Sequence, residues 1–257
     1  MILRSSAVLA ICLILAIYPL SAQGGEVLFQ YSTIDALLAG AYEGQLTNGD
    51  LKKQGDLGVG AFNDMDGEMV VLEGRVYQVT ADGKVAPAPD AGKTPFATVT
   101  RFTPAKAVAI PKAANLEEVT KLIDASLPTK NIFYAVKIEG RFSRVKARAL
   151  ARQKRPYPPL ALVVEKQSVF NFTDVEGTLL GFRCPPFAKG VNVPGYHLHF
   201  LTKDRTRGGH VLDCSLENLT VQIDPTLKFT LVLPDNQDFY RLELDQDRSN
   251  ELHKVEK

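Results

Sequence analysis

The sequence predicts an α+β protein dominated by β-sheet. Three observations carry that prediction: glycine-punctuated apolar segments between residues 55 and 86, one strongly periodic helix over 115–126, and a two-residue alternation through 144–149.

The elements follow in chain order. Ser32, with Asp35 three residues on and Ile34, Leu37 and Leu38 as an apolar set, predicts a short capped helix closed by Gly40 at its C′ position. One or two further helical turns are expected over 47–54. Gly55, Gly58, Gly60, Gly67, Gly74 and Gly83 then punctuate the chain. Asp66-Gly67, Glu73-Gly74 and Asp82-Gly83 separate strands over 68–72, 75–80 and 84–86, the pattern of an antiparallel meander. Asn115 and Glu118 form a capping pair, and Leu116, Val119, Leu122 and Ile123 recur at helical spacing, so a helix over 115–126 stops before Pro128. Residues 132–139 and 141–150 read as two strands about a tight turn at Gly140. In the second, Val145, Ala147 and Ala149 alternate with Arg144, Lys146 and Arg148, which places the three cations on one face. The tract Arg155-Pro156-Tyr157-Pro158-Pro159 cannot pair in a central strand and is a connection. Short strands near 168–173, 177–183, 195–201, 209–215 and 228–233 complete the pattern.

Composition excludes several classes. With 257 residues, 45% hydrophobic and 23% charged, the chain is long and apolar enough to bury a core, so disorder is not expected. Thirty Lys+Arg against 29 Asp+Glu leave no charge excess for phosphate contacts, which argues against a nucleic-acid partner. Arg4, the apolar run from Ala7 to Leu20 and the small pair Ser21-Ala22 read as a secretory signal peptide over 1–22. The apolar run is about 14 residues, short of the roughly 20 that span a bilayer, and Pro19 sits near its end, so no stable membrane anchor is expected. Cys12 follows Ile11 where a lipid-attachment signal needs a small residue. The expected localisation is secreted or periplasmic. An oxidising compartment permits a disulfide between Cys184 and Cys214, but a core of this size does not require one, and two separate buried thiols are the favoured reading.

Histidine carries the functional signal. Three of the four, His197, His199 and His210, fall within 14 residues. On a strand, His197 and His199 point to one face while Leu198 and Phe200 point to the other. The polar stretch Lys203 to Gly209 reads as a hairpin loop. Pairing Thr202 with Arg207 sets Leu201 against Gly208, Phe200 against Gly209 and His199 against His210. Cross-strand Cβ atoms on a common face lie about 5 Å apart, so the three imidazoles converge. Three neutral imidazoles with an open position form the ligand set of a catalytic zinc site; copper, iron and nickel also accept imidazole, and zinc is the expected ion. His253, in a charged run near the terminus, reads as solvated or as a support behind the site.

The string Gly195-Tyr-His-Leu-His-Phe-Leu-Thr-Lys-Asp-Arg-Thr-Arg-Gly-Gly-His210, with Gly58-Val-Gly-Ala-Phe-Asn-Asp-Met-Asp-Gly-Glu68-Met69, Lys93-Thr-Pro-Phe-Ala97 and Val145-Lys-Ala-Arg148, resembles α-acetolactate decarboxylase. The resemblance runs from about Val27 to the C-terminus. It implies that His197, His199 and His210 hold a zinc ion and that Glu68, Arg148 and Glu256 are catalytic, the last through the match Leu252-His-Lys-Val-Glu256. It also implies the small-molecule substrate 2-acetolactate, converted to acetoin and carbon dioxide through a metal-stabilised enediolate, and a homodimer. Combined with the element pattern, it implies two sub-domains, each on a mixed, largely antiparallel sheet with few helices, and the metal site between them. These are a β-rich N-terminal part over 23–110 and a C-terminal part over 111–257 that carries the histidine hairpin and the tail. Ala61 stands where a threonine is common in the family, so a hydroxyl is missing there. Two other classes fit a three-histidine site: a cupin-like oxygenase or hydrolase, although cupins usually add a glutamate where this chain has Lys203 and Asp204, and a non-catalytic secreted metal-binding protein.

Overall fold

The computed structural model describes residues 27–256. The signal peptide expected over 1–22, with Cys12 inside it, lies outside the described residues. In chain order the elements begin with β1 (Val27–Tyr31), α1 (Ile34–Leu38), β2 (Leu46–Thr47), α2 (Asn48–Gln54), β3 (Leu57–Ala61), β4 (Glu68–Leu72), β5 (Arg75–Val79) and β6 (Val85–Pro87). There follow β7 (Lys93–Thr94), β8 (Ala97–Thr100), β9 (Lys106–Ala113), α3 (Leu116–Ser126), β10 (Phe133–Ala149), α4 (Leu160–Val163), β11 (Ser168–Cys184) and β12 (Gly195–Thr202). The chain closes with β13 (Gly208–Thr226), β14 (Lys228–Val232), α5 (Gln237–Tyr240) and α6 (Ser249–Val255). This is the α+β, sheet-dominated class that the sequence predicts.

The first sheet has seven strands in the order β14-β1-β8-β3-β4-β5-β6. All its pairings are antiparallel except β1 with β14, which run parallel. The second has the order β10-β11-β12-β13-β9, and β10 also pairs with β13, so four strands close into a ring. Sheets and chain segments do not divide at one point: β9 spans residue 110 and lies in the second sheet, while β14 joins the first.

Apolar packing joins the two layers. Leu57, Val59, Val70 and Val79 of the first sheet pack against Phe133, Leu180, Phe182 and Leu201 of the second. The other face of the second sheet presents Val145, Ala147, Leu198, Phe200 and Val211 to Val119 and Ile123 of α3. Leu198 and Phe200 therefore lie away from the first sheet, as their alternation with the histidines predicts.

Local differences from the sequence reading have physical causes. Thr33, not Ser32, caps α1: its Oγ1 accepts from Ala36 N–H at 3.2 Å, while Ser32 takes a positive φ of 65°. The strands expected over 132–139 and 141–150 are not a hairpin about Gly140 but one strand, β10 (Phe133–Ala149), paired with β11 through Gly140 opposite Gly177. Gly140 has φ 146° because the Leu219 side chain lies where its Cβ would be, so the glycine admits a close approach rather than a reversal. In the same way the strands expected at 168–173 and 177–183 are one strand, β11, and that expected at 209–215 extends to Thr226. Helix α3 forms where predicted, with Asn115 Oδ1 accepting from Glu118 N–H at 2.9 Å. The cysteines are separate buried thiols, Cys184 between the sheets and Cys214 in the α3-side core.

Candidate active site

Strands β12 and β13 pair in the register His199–His210, Phe200–Gly209, Leu201–Gly208. The hairpin closes with Thr202 N–H donating to the Arg207 carbonyl at 2.9 Å. The imidazole centroids stand 5.0, 5.1 and 5.3 Å apart, and the three potential ligand nitrogens lie within 4.8 Å of one another. His197 is 8% exposed, His199 and His210 less. His199 Nδ1–H donates to the Met69 carbonyl at 2.8 Å, and because a carbonyl only accepts, this contact leaves the Nε2 lone pair facing the other rings.

The remaining predicted residues converge from three other elements. Arg148 on β10 is the direct cross-strand partner of His210, which fixes both on one face. It is buried, whereas Arg144 and Lys146 on the same face remain partly exposed. Gly209, beside His210, has φ 148°, and a Cβ there would meet the Arg148 carbonyl oxygen far inside contact distance; only glycine lets β13 lie this close to β10. Glu68 begins β4 in the first sheet, directly opposite Ala61, and its Oε2 is 3.8 Å from His199 Nε2. Glu256 follows α6, which Leu252 and Val255 anchor in a core shared with Ala61 and Phe96; its Oε2 is 3.7 Å from His210 Nε2. His253 on α6 is exposed.

Burial sets the protonation states. It holds His197 down to about 3, with Arg148 adding to the effect, and His199 and His210 well below the ordinary imidazole value. All three rings are therefore neutral, the form that binds metal. Burial pushes the Glu68 and Glu256 carboxyls up to about 7, against the opposing charge of Arg148.

The donor set fits a divalent transition metal. His210 Nε2, Glu68 Oε1 and Arg148 Nε and Nη1 are buried with no protein partner, a costly condition that a cation and an anionic ligand would relieve together. The carboxylate-to-imidazole separations are too long for hydrogen bonds, but suit groups that share one ion. Beside Glu256 a cavity of about 860 Å³ is lined by Leu116, Val193, Pro194, Tyr196, Leu212 and Leu252. The sequence reading missed the Met69 carbonyl, since every residue carries a carbonyl, and the cavity walls, where apolar residues and polar ones such as Asn115, Thr120 and Lys189 come together only in the fold.

The family described as Alpha-acetolactate decarboxylase matches residues 28–246 of this chain. Alpha-acetolactate decarboxylase from Methanosarcina mazei is 50% identical over 93% of this chain and 83% of its own length, and that from Brevibacillus brevis is 45% identical over 90% and 81%. The crystal structure of alpha-acetolactate decarboxylase from Bacillus subtilis strain 168 superposes with a TM-score of 0.87 at 38% identity, covering 89% of this chain and 98% of that one.

Proposed function

Because the chain belongs to the alpha-acetolactate decarboxylase family and decarboxylates acetolactate, we propose that a zinc ion held by His197, His199 and His210 serves that reaction, with Glu68, Arg148 and Glu256 around it. The observation that carries this reading is the convergence of three buried, neutral imidazoles whose His210 Nε2 finds no protein partner. Bound there, the ion supplies a Lewis acid for the oxygens of a 2-hydroxy-3-oxo acid, where negative charge develops as carbon dioxide departs.

The protein's own groups supply the rest. Arg148 offers a permanent charge and two buried, unpartnered N–H-bearing nitrogens, which suits the substrate carboxylate before it leaves and an oxyanion afterwards. Glu68 and Glu256, pushed up to about 7, can each hold a proton near neutral pH and deliver it to the carbon that loses the carboxylate, giving acetoin. The core around Val255 keeps bulk water from Glu256 on one side, and the cavity beside it admits substrate on the other.

Elemental analysis with an acetoin assay on wild type and His199→Ala tests this reading. Stoichiometric zinc and turnover in the first, and loss of both in the second, are expected; turnover in metal-free wild type would sink it.

Two features of cellular context belong to the same proposal. The 1–22 segment directs export to the periplasm or exterior, which the N-terminal sequence of the processed protein tests. No helix among the described residues is long and apolar enough to cross a membrane. The protein works as a homodimer, which light scattering of the purified protein tests.

A further inference from the structure

Gln30 on β1 and Thr98 on β8 are direct cross-strand partners, both buried. Asn192, from the segment between β11 and β12, is buried against them. Asn192 Nδ2 donates to Gln30 Oε1 at 2.6 Å and to Thr98 Oγ1 at 3.3 Å, and Asn192 Oδ1 accepts from Val193 N–H at 2.7 Å. Gln30 Nε2 donates to the carbonyls of Ser32 at 2.8 Å and Val191 at 2.6 Å. Each amide thus uses both donors, and exchanging oxygen and nitrogen in either would set donor against donor.

An apolar trio of the same volume would join these segments without burying polar groups, so the network adds direction rather than net adhesion. Its direction is felt by one stretch of chain. Ile34 N–H donates to the Val191 carbonyl at 3.0 Å and Asp35 N–H to that of Gly190 at 3.2 Å, so the segment is tied to β1, β8 and α1 in turn. Val193 and Pro194 then form a wall of the cavity beside Glu256, and Gly195 opens β12, two residues before His197. Glu68 belongs to the same first sheet, two strands beyond β8.

We propose that Asn192 is a positioning residue for the decarboxylation: its amide, held by Gln30 and Thr98, fixes the Val193–Pro194 wall and the entry of β12, and thereby the seat of the substrate beside His197. This rests on the reading that substrate enters through the cavity beside Glu256.

Steady-state kinetics on zinc-loaded, full-length protein with acetolactate, well below each unfolding midpoint, test it. Asn192→Ala, Asn192→Asp and Gln30→Met are each expected to raise KM about tenfold while kcat moves less than about threefold, and the Asn192→Ala/Gln30→Met pair should do no more than the worse single variant. Zinc content should stay stoichiometric in all. Ile123→Val, in the core under α3, is the control: it lowers the midpoint and leaves KM alone. Leu252→Trp, which narrows the cavity beside Glu256, should raise KM if substrate enters there. Unchanged KM in the network variants, with KM raised by Leu252→Trp, overturns the inference and leaves the access route standing. Unchanged KM in Leu252→Trp overturns both. Failure of every network variant to fold also overturns it, because the network is then structural.

Discussion

Arg148 and His210 face each other directly across β10 and β13, so the guanidinium that acts on the Glu68 and Glu256 carboxyls is also set beside an imidazole. Burial, with Arg148 adding to it, keeps the ring neutral, and Arg148 Nε and Nη1 are left without a protein partner, a place for an anion.

Arg148→Lys keeps the charge but loses the planar fork. We expect zinc content to be unchanged and kcat/KM to fall about 10²- to 10³-fold, the loss typical of one oriented oxyanion donor. Acetoin formation beside elemental analysis reads both; activity within threefold of wild type would show that the fork is not used.

Metal binding should stabilise the fold through the histidines. A zinc concentration about 100 times the dissociation constant adds about 2.7 kcal/mol, so chelation should lower the unfolding midpoint of wild type and leave that of His199→Ala in place. Scanning calorimetry with and without chelator decides this.

The pH dependence of the metal-free protein has two limbs of opposite sign. The Glu68 carboxyl is raised from 4.5 to about 7, so its stabilisation is full below pH 4.5 and is lost as pH rises through 7. His197 is lowered from 6.5 to about 3, so its stabilisation is present above pH 6.5 and is lost as pH falls toward 3. Glu68→Gln removes only its own share of the first limb, because the Glu256 carboxyl is raised to about 7 as well. It should be more stable than wild type by about 1–3 kcal/mol at pH 8 and have no such advantage at pH 4, as read by urea unfolding in chelator.

Gly209→Ala should cost about 2 kcal/mol or more, because the added methyl meets the Arg148 carbonyl and the φ of 148° is strained for alanine. Zinc affinity should weaken with it, since β13 can relieve the clash only by moving His210. Chemical denaturation and competition with a chromogenic chelator measure the two effects; a variant with wild-type affinity would show that β10 yields instead.

Ending the chain at Val255 leaves the apolar anchors of α6 and the 2.6 Å Lys254–Glu165 pair intact while removing Glu256. The unfolding midpoint should hardly move, and kcat should fall about a hundredfold if this carboxyl handles the proton. A truncated protein that keeps full kcat would assign that step to Glu68.

The histidine hairpin was legible in the sequence because its information is local: a two-residue period and a short polar loop fix which side chains share a face. Arg148 was visible as a candidate, but its pairing with His210 depends on β10 closing the ring against β13, a contact between residues 62 positions apart in sequence (210 − 148). Strand β9 escaped notice because Pro111 interrupts it; the structure tolerates the proline because β9 is an edge strand. Gly140 misled for a related reason. Glycine marks both reversals and close approaches, and only the position of Leu219 distinguishes them.

The parallel pairing of β14 with β1 has a consequence for biogenesis. The strand that borders β1 is encoded near the end of the chain, so the first layer cannot be completed until most of the polypeptide has been made. Glu68 emerges early, yet its surroundings assemble last. A nascent chain arrested before Lys228 should therefore be cut by protease within the first sheet, and protection should appear only once β14 has left the ribosome.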